Sequence, residues 1–221
     1  MKKVVITGLL SILSTSVMST EILDNSSAKG FYIGIGAGKS NNILFLIEGN
    51  YNNSDPDNTT YTFNSSSLNE DDIGYIFYAG YQINKIIAVE AAYTEYGYFK
   101  TIELTKEYSQ SPRSLAIYAN ASYIFLNNQL RPFGNLGLGY LQKNQSQSYV
   151  GLDFKEEIST IHYGIGFDYF PTTFKGIGFR TAFSGDISID NIYTENDNNT
   201  TESKTLWQAY SLFYLGVEYK F

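Results

Sequence analysis

Eight segments of this chain alternate apolar and polar residues with period two, and apart from Glu95, near the end of the third, no Asp, Glu, Lys or Arg falls on their apolar side. Successive side chains of a strand point to opposite faces, so each segment reads as a strand with one greasy face. The last one, Trp207 to Phe221, is the clearest. Trp207, Ala209, Ser211, Phe213, Leu215, Val217, Tyr219 and Phe221 share one face; Gln208, Tyr210, Tyr214, Glu218 and Lys220 share the other. A helical spacing also fits Trp207, Tyr210, Tyr214, Val217 and Phe221. Aromatic enrichment, the internal Gly216 and the recurrence of the pattern upstream decide for strand.

The other seven strands are expected at 30–38, 73–83, 86–96, 114–125, 133–141, 158–169 and 176–184. Pro132 is tolerated at a strand start, which leaves Arg131 in the preceding turn. Connections alternate between long polar stretches (39–71, 97–113, 142–157, 185–205) and short turns (84–85, 126–131, 170–173). Glu90, Asp168, Arg180, Glu218 and Lys220 take the polar face. In a soluble barrel the apolar face would line the interior. Here the polar face holds the charges, glycines and tyrosines that a narrow lumen needs, so the apolar face is the outside. An Arg or Lys facing lipid at mid-membrane costs about 2–4 kcal/mol, which makes such a partition a physical requirement. A closed barrel also leaves no open sheet edge in lipid.

Export fits this reading. Met1-Lys2-Lys3, an apolar run from Val4 to about Val17, and the small residues Ser16 and Ser19 compose a secretory signal peptide over 1–19, leaving 20–221 as one barrel domain. The apolar run is shorter than the ~20 residues of a spanning helix. The chain has no Cys, so disulfides do not staple it. A formal net charge of −7 argues against nucleic acid as a partner.

The mature chain resembles the OmpA/OmpX-type small outer-membrane β-barrel proteins, the porin-like or OmpA-like domains. The resemblance rests on Gly-Phe-Tyr-Ile-Gly-Ile-Gly-Ala-Gly at 30–38, the Gly80-Tyr81, Asn84, Glu90, Tyr93 hairpin, Arg131-Pro132-Phe133 with Gly137-Leu138-Gly139-Tyr140, and the final Tyr219-Lys220-Phe221. It implies an all-β, eight-stranded, antiparallel, up-and-down transmembrane barrel in the outer membrane of a Gram-negative bacterium. Its partners would be outer-membrane lipid, the barrel-assembly machinery that reads Tyr219 and Phe221, and a surface ligand or host factor met through the loops. The protein would be a monomer without cofactor. The apolar run Ile43 to Ile47 leaves two fits: an extension of the first strand paired with 59–64, or a ten-stranded barrel.

Three constellations bear on function. Glu90, Asp168, Arg180 and Glu218 form an expected polar network in the lumen, because eight strands enclose little more than their own side chains. His162 is the one histidine, and Tyr163 follows it where the barrel-type lipid A deacylases place a Ser. It is therefore read as a hydrogen-bonded lumen or rim residue. Loop acids (Glu48, Asp55, Asp57, Glu70 and Asp71; Asp186, Asp190, Glu195, Asp197 and Glu202) lack cation-loop spacing and read as solvated surface. The expected role is non-enzymatic: display of surface loops for envelope integrity or adhesion. A small OmpW-like channel for apolar or very small solutes is the alternative, and a lipid-modifying enzyme the third.

Overall fold

The structure is a computed structural model that describes residues 29–52, 60–67, 72–103, 106–126, 129–144, 157–196 and 200–221. The signal peptide expected at 1–19 lies outside them. Eleven strands follow in chain order: β1 (Gly30–Asn52), β2 (Thr60–Ser67), β3 (Ile73–Gln82), β4 (Ile87–Glu95), β5 (Phe99–Glu103), β6 (Lys106–Gln110), β7 (Arg113–Ser122), β8 (Leu130–Gln142), β9 (Glu157–Tyr169), β10 (Ile177–Asn196) and β11 (Thr200–Lys220). Eight of them, in the order β11-β10-β9-β8-β7-β4-β3-β1, form an antiparallel sheet, and β1 pairs with β11 to close it. The eight-stranded expectation holds and the ten-stranded alternative does not.

The apolar run at 43–47 does extend the first strand. β1 continues past the barrel to Asn52, with Leu46 opposite Asn64 and Ile47 opposite Phe63 of β2. Two stretches expected as loops are strand instead. Within 185–205, β10 reaches Asn196 and β11 begins at Thr200; within 97–113, β5 and β6 pair as a hairpin. In both cases polar side chains hid the strands, because outside a membrane both faces of a strand can meet water.

Alternation decides the two faces. Leu138 is 75% exposed, Ile165 65% and Leu215 64%, all on the outside. Tyr32, Tyr78, Tyr118, Tyr210 and Tyr214 are buried within. At the short-turn end the outer face carries aromatic pairs: Phe31 with Tyr81 (ring centroids 4.7 Å apart), Tyr123 with Phe125 (4.6 Å) and Tyr219 with Phe221 (5.0 Å). Such a belt suits a membrane boundary, where one end of the ring is wet and the rest apolar. The first short turn is fixed by Asn84, whose Oδ1 accepts from the amides of Ile86 and Ile87, each at 2.8 Å.

Ile117 lies mid-strand on β7, opposite Ala91, and is 64% exposed. Ile117→Arg is expected to cost about 2–4 kcal/mol in a lipid-refolding titration, because the charge must leave the apolar band. A soluble-sheet face would tolerate it, so an unchanged midpoint would contradict the lipid-facing assignment.

Candidate functional site

The inward tyrosines fill the barrel because glycines receive them. Gly34 stands opposite Tyr78, and Tyr32 opposite Gly80, across β1 and β3. A Cβ on Gly34 would lie 2.2 Å from Tyr78 Cζ, so the ring takes the space a side chain would need. The inward glycines thus leave no free path on this wall.

Arg180 occupies the middle of the lumen. Its Nε donates to Asp168 Oδ1 at 2.7 Å, its Nη1 to Glu90 Oε2 at 2.8 Å, and its Nη2 lies 3.3 Å from Glu218 Oε2. The guanidinium carbon is 4.2 Å from the Tyr78 ring centroid and 4.6 Å from that of Phe133. Each carboxylate has further donors. Glu90 accepts from Tyr118 Oη at 3.1 Å and from Asn120 Nδ2; Glu218 accepts from Tyr78 Oη at 3.2 Å. Asp168 also accepts from Arg131, Nε at 3.1 Å and Nη2 at 2.7 Å, while Arg131 Nη1 donates to Gln82. The four residues singled out from the sequence, Glu90, Asp168, Arg180 and Glu218, meet in this one cluster.

Arg131, expected in a turn, is instead the second residue of β8 and lies buried in the lumen. Its parity with Phe133 and Asn135 on β8 is the signal that reveals it, and Pro132 obscured that signal. With Tyr32 of β1 behind the guanidinium, every one of the eight barrel strands contributes a side chain to the cluster. Buried charges persist when paired and hydrogen-bonded, as these are.

The Arg180–Glu90 pair has a geometric consequence. Between β10 and β4 lie β9, β8 and β7 on one side of the ring, and β11, β1 and β3 on the other. The two strands are diametrically opposite, so a 2.8 Å contact between them crosses the full lumen. A second crossing lies nearer the long-loop end. Tyr96, directly after β4, donates to Asp186 Oδ2 of β10 at 2.5 Å.

Asp186 corrects another expectation. Read as a solvated loop acid, it is fully buried in the lumen and accepts also from Thr160 Oγ1 at 3.0 Å. The remaining acids of those two loops lie outside the described side chains. His162 joins this second belt. It is 1% exposed, its Nδ1 lies 3.3 Å from Asp186 Oδ1, and its ring stacks on Tyr118 at 4.5 Å. Gly139 makes room here, since a Cβ would come within 2.4 Å of Thr160 Oγ1 and 2.6 Å of Asp186 Oδ1.

Tyr219 and Phe221 lie on the outer face of the closing seam. Tyr219 is opposite Ile33 of β1, and the Phe221 amide donates to Phe31 O at 2.8 Å.

No curated protein matches the sequence. Solved structures do. The outer membrane protein OprG of Pseudomonas aeruginosa is 14% identical, over 87% of this chain and 96% of its own, with a TM-score of 0.49. Ail, the attachment invasion locus protein of Yersinia pestis, solved with the heparin analogue sucrose octasulfate, is 14% identical over 83% of this chain and 99% of its own, with a TM-score of 0.40. The outer membrane protein AlkL, determined in lipid bilayers, is 14% identical over 92% and 97%, with a TM-score of 0.46. The profile of the outer membrane protein beta-barrel domain family matches residues 7–221, and together with the closed, outwardly apolar barrel it places the chain in that family of outer-membrane β-barrels.

Proposed function

We propose that this protein is a closed, non-enzymatic outer-membrane barrel that holds strand-built segments at the cell surface, for envelope integrity or adhesion, and is not a solute channel. The observation that carries the reading is the Arg180–Glu90 contact between opposite walls. A path along the axis would have to break it, along with the Asp168 and Glu218 contacts that share the guanidinium. The non-enzymatic part rests on His162, whose ring is covered by Tyr118 inside the lumen, away from both lipid and solvent. Removal of a signal peptide after residue 19, delivery by the assembly machinery through Tyr219 and Phe221, and a monomeric state belong to the same proposal.

Purified protein in a planar bilayer tests it. The expected result is an electrically silent membrane at protein densities where a general porin gives steps. Steady, reproducible single-channel steps from the wild type would overturn the closed lumen and favour the channel reading.

A further inference from the structure

The β5–β6 hairpin joins β4 to β7, yet its base is held by the far wall. Between β7 and β11 lie β10, β9 and β8 on one side, and β4, β3 and β1 on the other, so β11 is the strand opposite. Tyr210 of β11 donates its hydroxyl to Gln110 Oε1 of β6 at 3.0 Å. Its ring centroid lies 6.3 Å from that of Phe99 in β5 and 5.7 Å from that of Tyr96. Phe99 is fully buried and Gln110 is 1% exposed. The base of the hairpin, where Phe99 pairs with Gln110, therefore sits in the mouth of the barrel, above the Tyr96–Asp186 crossing.

The wall under it is polar and is not satisfied by it. Asn42, opposite Tyr210 in the β1–β11 ladder, is fully buried, and neither Nδ2 nor Oδ1 has a hydrogen-bond partner. Ser40 Oγ, one inward position further down, is in the same state, and so is His162 Nε2. Leaving a buried donor or acceptor unpaired forfeits its hydration, whereas apolar side chains of the same shape would fill the space without that cost. A permanently seated plug has no use for an amide and a hydroxyl there. Burial of Phe99 favours the seated hairpin. Hydration of Asn42 and Ser40 favours the lifted one, so the two terms oppose each other.

We propose that the β5–β6 hairpin is a lid that lifts reversibly from the barrel mouth and opens a wet vestibule to the outside, floored by the Arg180 network. The floor rests on the closed-lumen reading; the lid does not. Lifting hydrates Asn42 and Ser40 and leaves the network below undisturbed. The vestibule wall, with its amide, its hydroxyls, the Asp186 carboxylate and the buried Lys143, suits small neutral polar molecules.

The chain has no Cys, so a single introduced thiol reports access. Ser40→Cys places one beneath the lid, and Ala88→Cys places one inside the lumen wall on β4, on the short-turn side of Glu90 and so beneath the Arg180 network. A membrane-impermeant maleimide is expected to label Ser40→Cys slowly. Adding Phe99→Ala should accelerate labelling about tenfold or more, the factor implied by removing a buried Phe from the seated state. Adding Asn42→Leu should slow it, because the seated state no longer strands an amide. Ala88→Cys should stay unlabelled throughout. Hydrogen exchange on the unmodified protein gives a second measurement, in which β5–β6 amides exchange well before those of β4 and β7. Labelling rates unmoved by Phe99→Ala and Asn42→Leu, or β5–β6 amides as slow as those of β7, would overturn the lid. Labelling of Ala88→Cys as fast as Ser40→Cys would overturn the floored vestibule and the closed lumen together.

Discussion

Arg180→Met is expected to destabilise the folded barrel by about 3–5 kcal/mol, the size of effect seen when one partner of a buried ion pair is removed. The wild-type cluster sets three carboxylates, Glu90, Asp168 and Glu218, against Arg180, Arg131 and the largely buried Lys220. Methionine keeps much of the stem volume and loses all three ionic contacts. Glu90 is then the most affected, because Arg180 is its cation and the Tyr118 and Asn120 bonds that remain are neutral. Asp168 still has Arg131. Adding Glu90→Gln to Arg180→Met should therefore recover part of the loss, since it removes the stranded charge and keeps the shape. Urea titrations of refolded protein in lipid vesicles, with heat-modifiable migration on gels as a second readout, measure both variants. A loss of about 1 kcal/mol or less, the size of an exposed ion pair, would mean that the cluster is hydrated and not a packed plug.

The faces of the strands were readable because lipid is an unforgiving solvent. Within the apolar band every outward position had to avoid charge, and the outward charges Lys39, Glu95, Arg113 and Glu157 stand toward the long-loop end, so the parity of each strand could be taken from its apolar half alone. The central network followed from that parity: Glu90, Asp168, Arg180 and Glu218 were placed inward, and the structure brings them together around one guanidinium. Parity failed to speak where the strands leave the membrane. Asp186 continues the inward series Arg180, Ala182, Ser184, yet the Ser, Asp and Asn around it carry the composition of a loop and mask the strand. Arg131 was lost in the same way, to the proline beside it. What no pattern gives is which side chains meet across the barrel. Arg180 with Glu90, Tyr96 with Asp186 and Tyr210 with Gln110 are separated by 90, 90 and 100 residues, and their meeting depends on closure and stagger of the whole sheet. The hairpin at the mouth was invisible for a related reason: its short polar strands pair only with each other, and Phe99 alone betrays that one end is buried.

Phe221→Ala is expected to reduce the amount of protein in the outer membrane severalfold while leaving the refolded barrel almost unchanged. In the folded state Phe221 does little. Its ring is 43% exposed and touches Tyr219 edge-on at 5.0 Å, and its hydrogen bond to Phe31 uses the backbone amide, which alanine retains. Losing one aromatic contact of this kind costs about 0.5–1.5 kcal/mol. A large deficit in cells would therefore not come from the finished barrel; on the proposed reading it arises earlier, when the assembly machinery takes up the closing strand. Tyr169→Ala supplies the comparison. Tyr169 is an equally exposed outer-face aromatic at the same end of the barrel, 44% exposed, but it belongs to β9, an internal strand. It should show a similar small loss in a refolding titration and normal cellular levels. Quantitative immunoblots of outer-membrane fractions, set beside urea midpoints for both variants, separate the two roles. If Phe221→Ala and Tyr169→Ala lower the outer-membrane yield equally, the terminal aromatics belong to the membrane-boundary belt and carry no signal. If Phe221→Ala alone is depleted, β11 is both the strand that closes the sheet against β1 and the strand by which the chain is recognised.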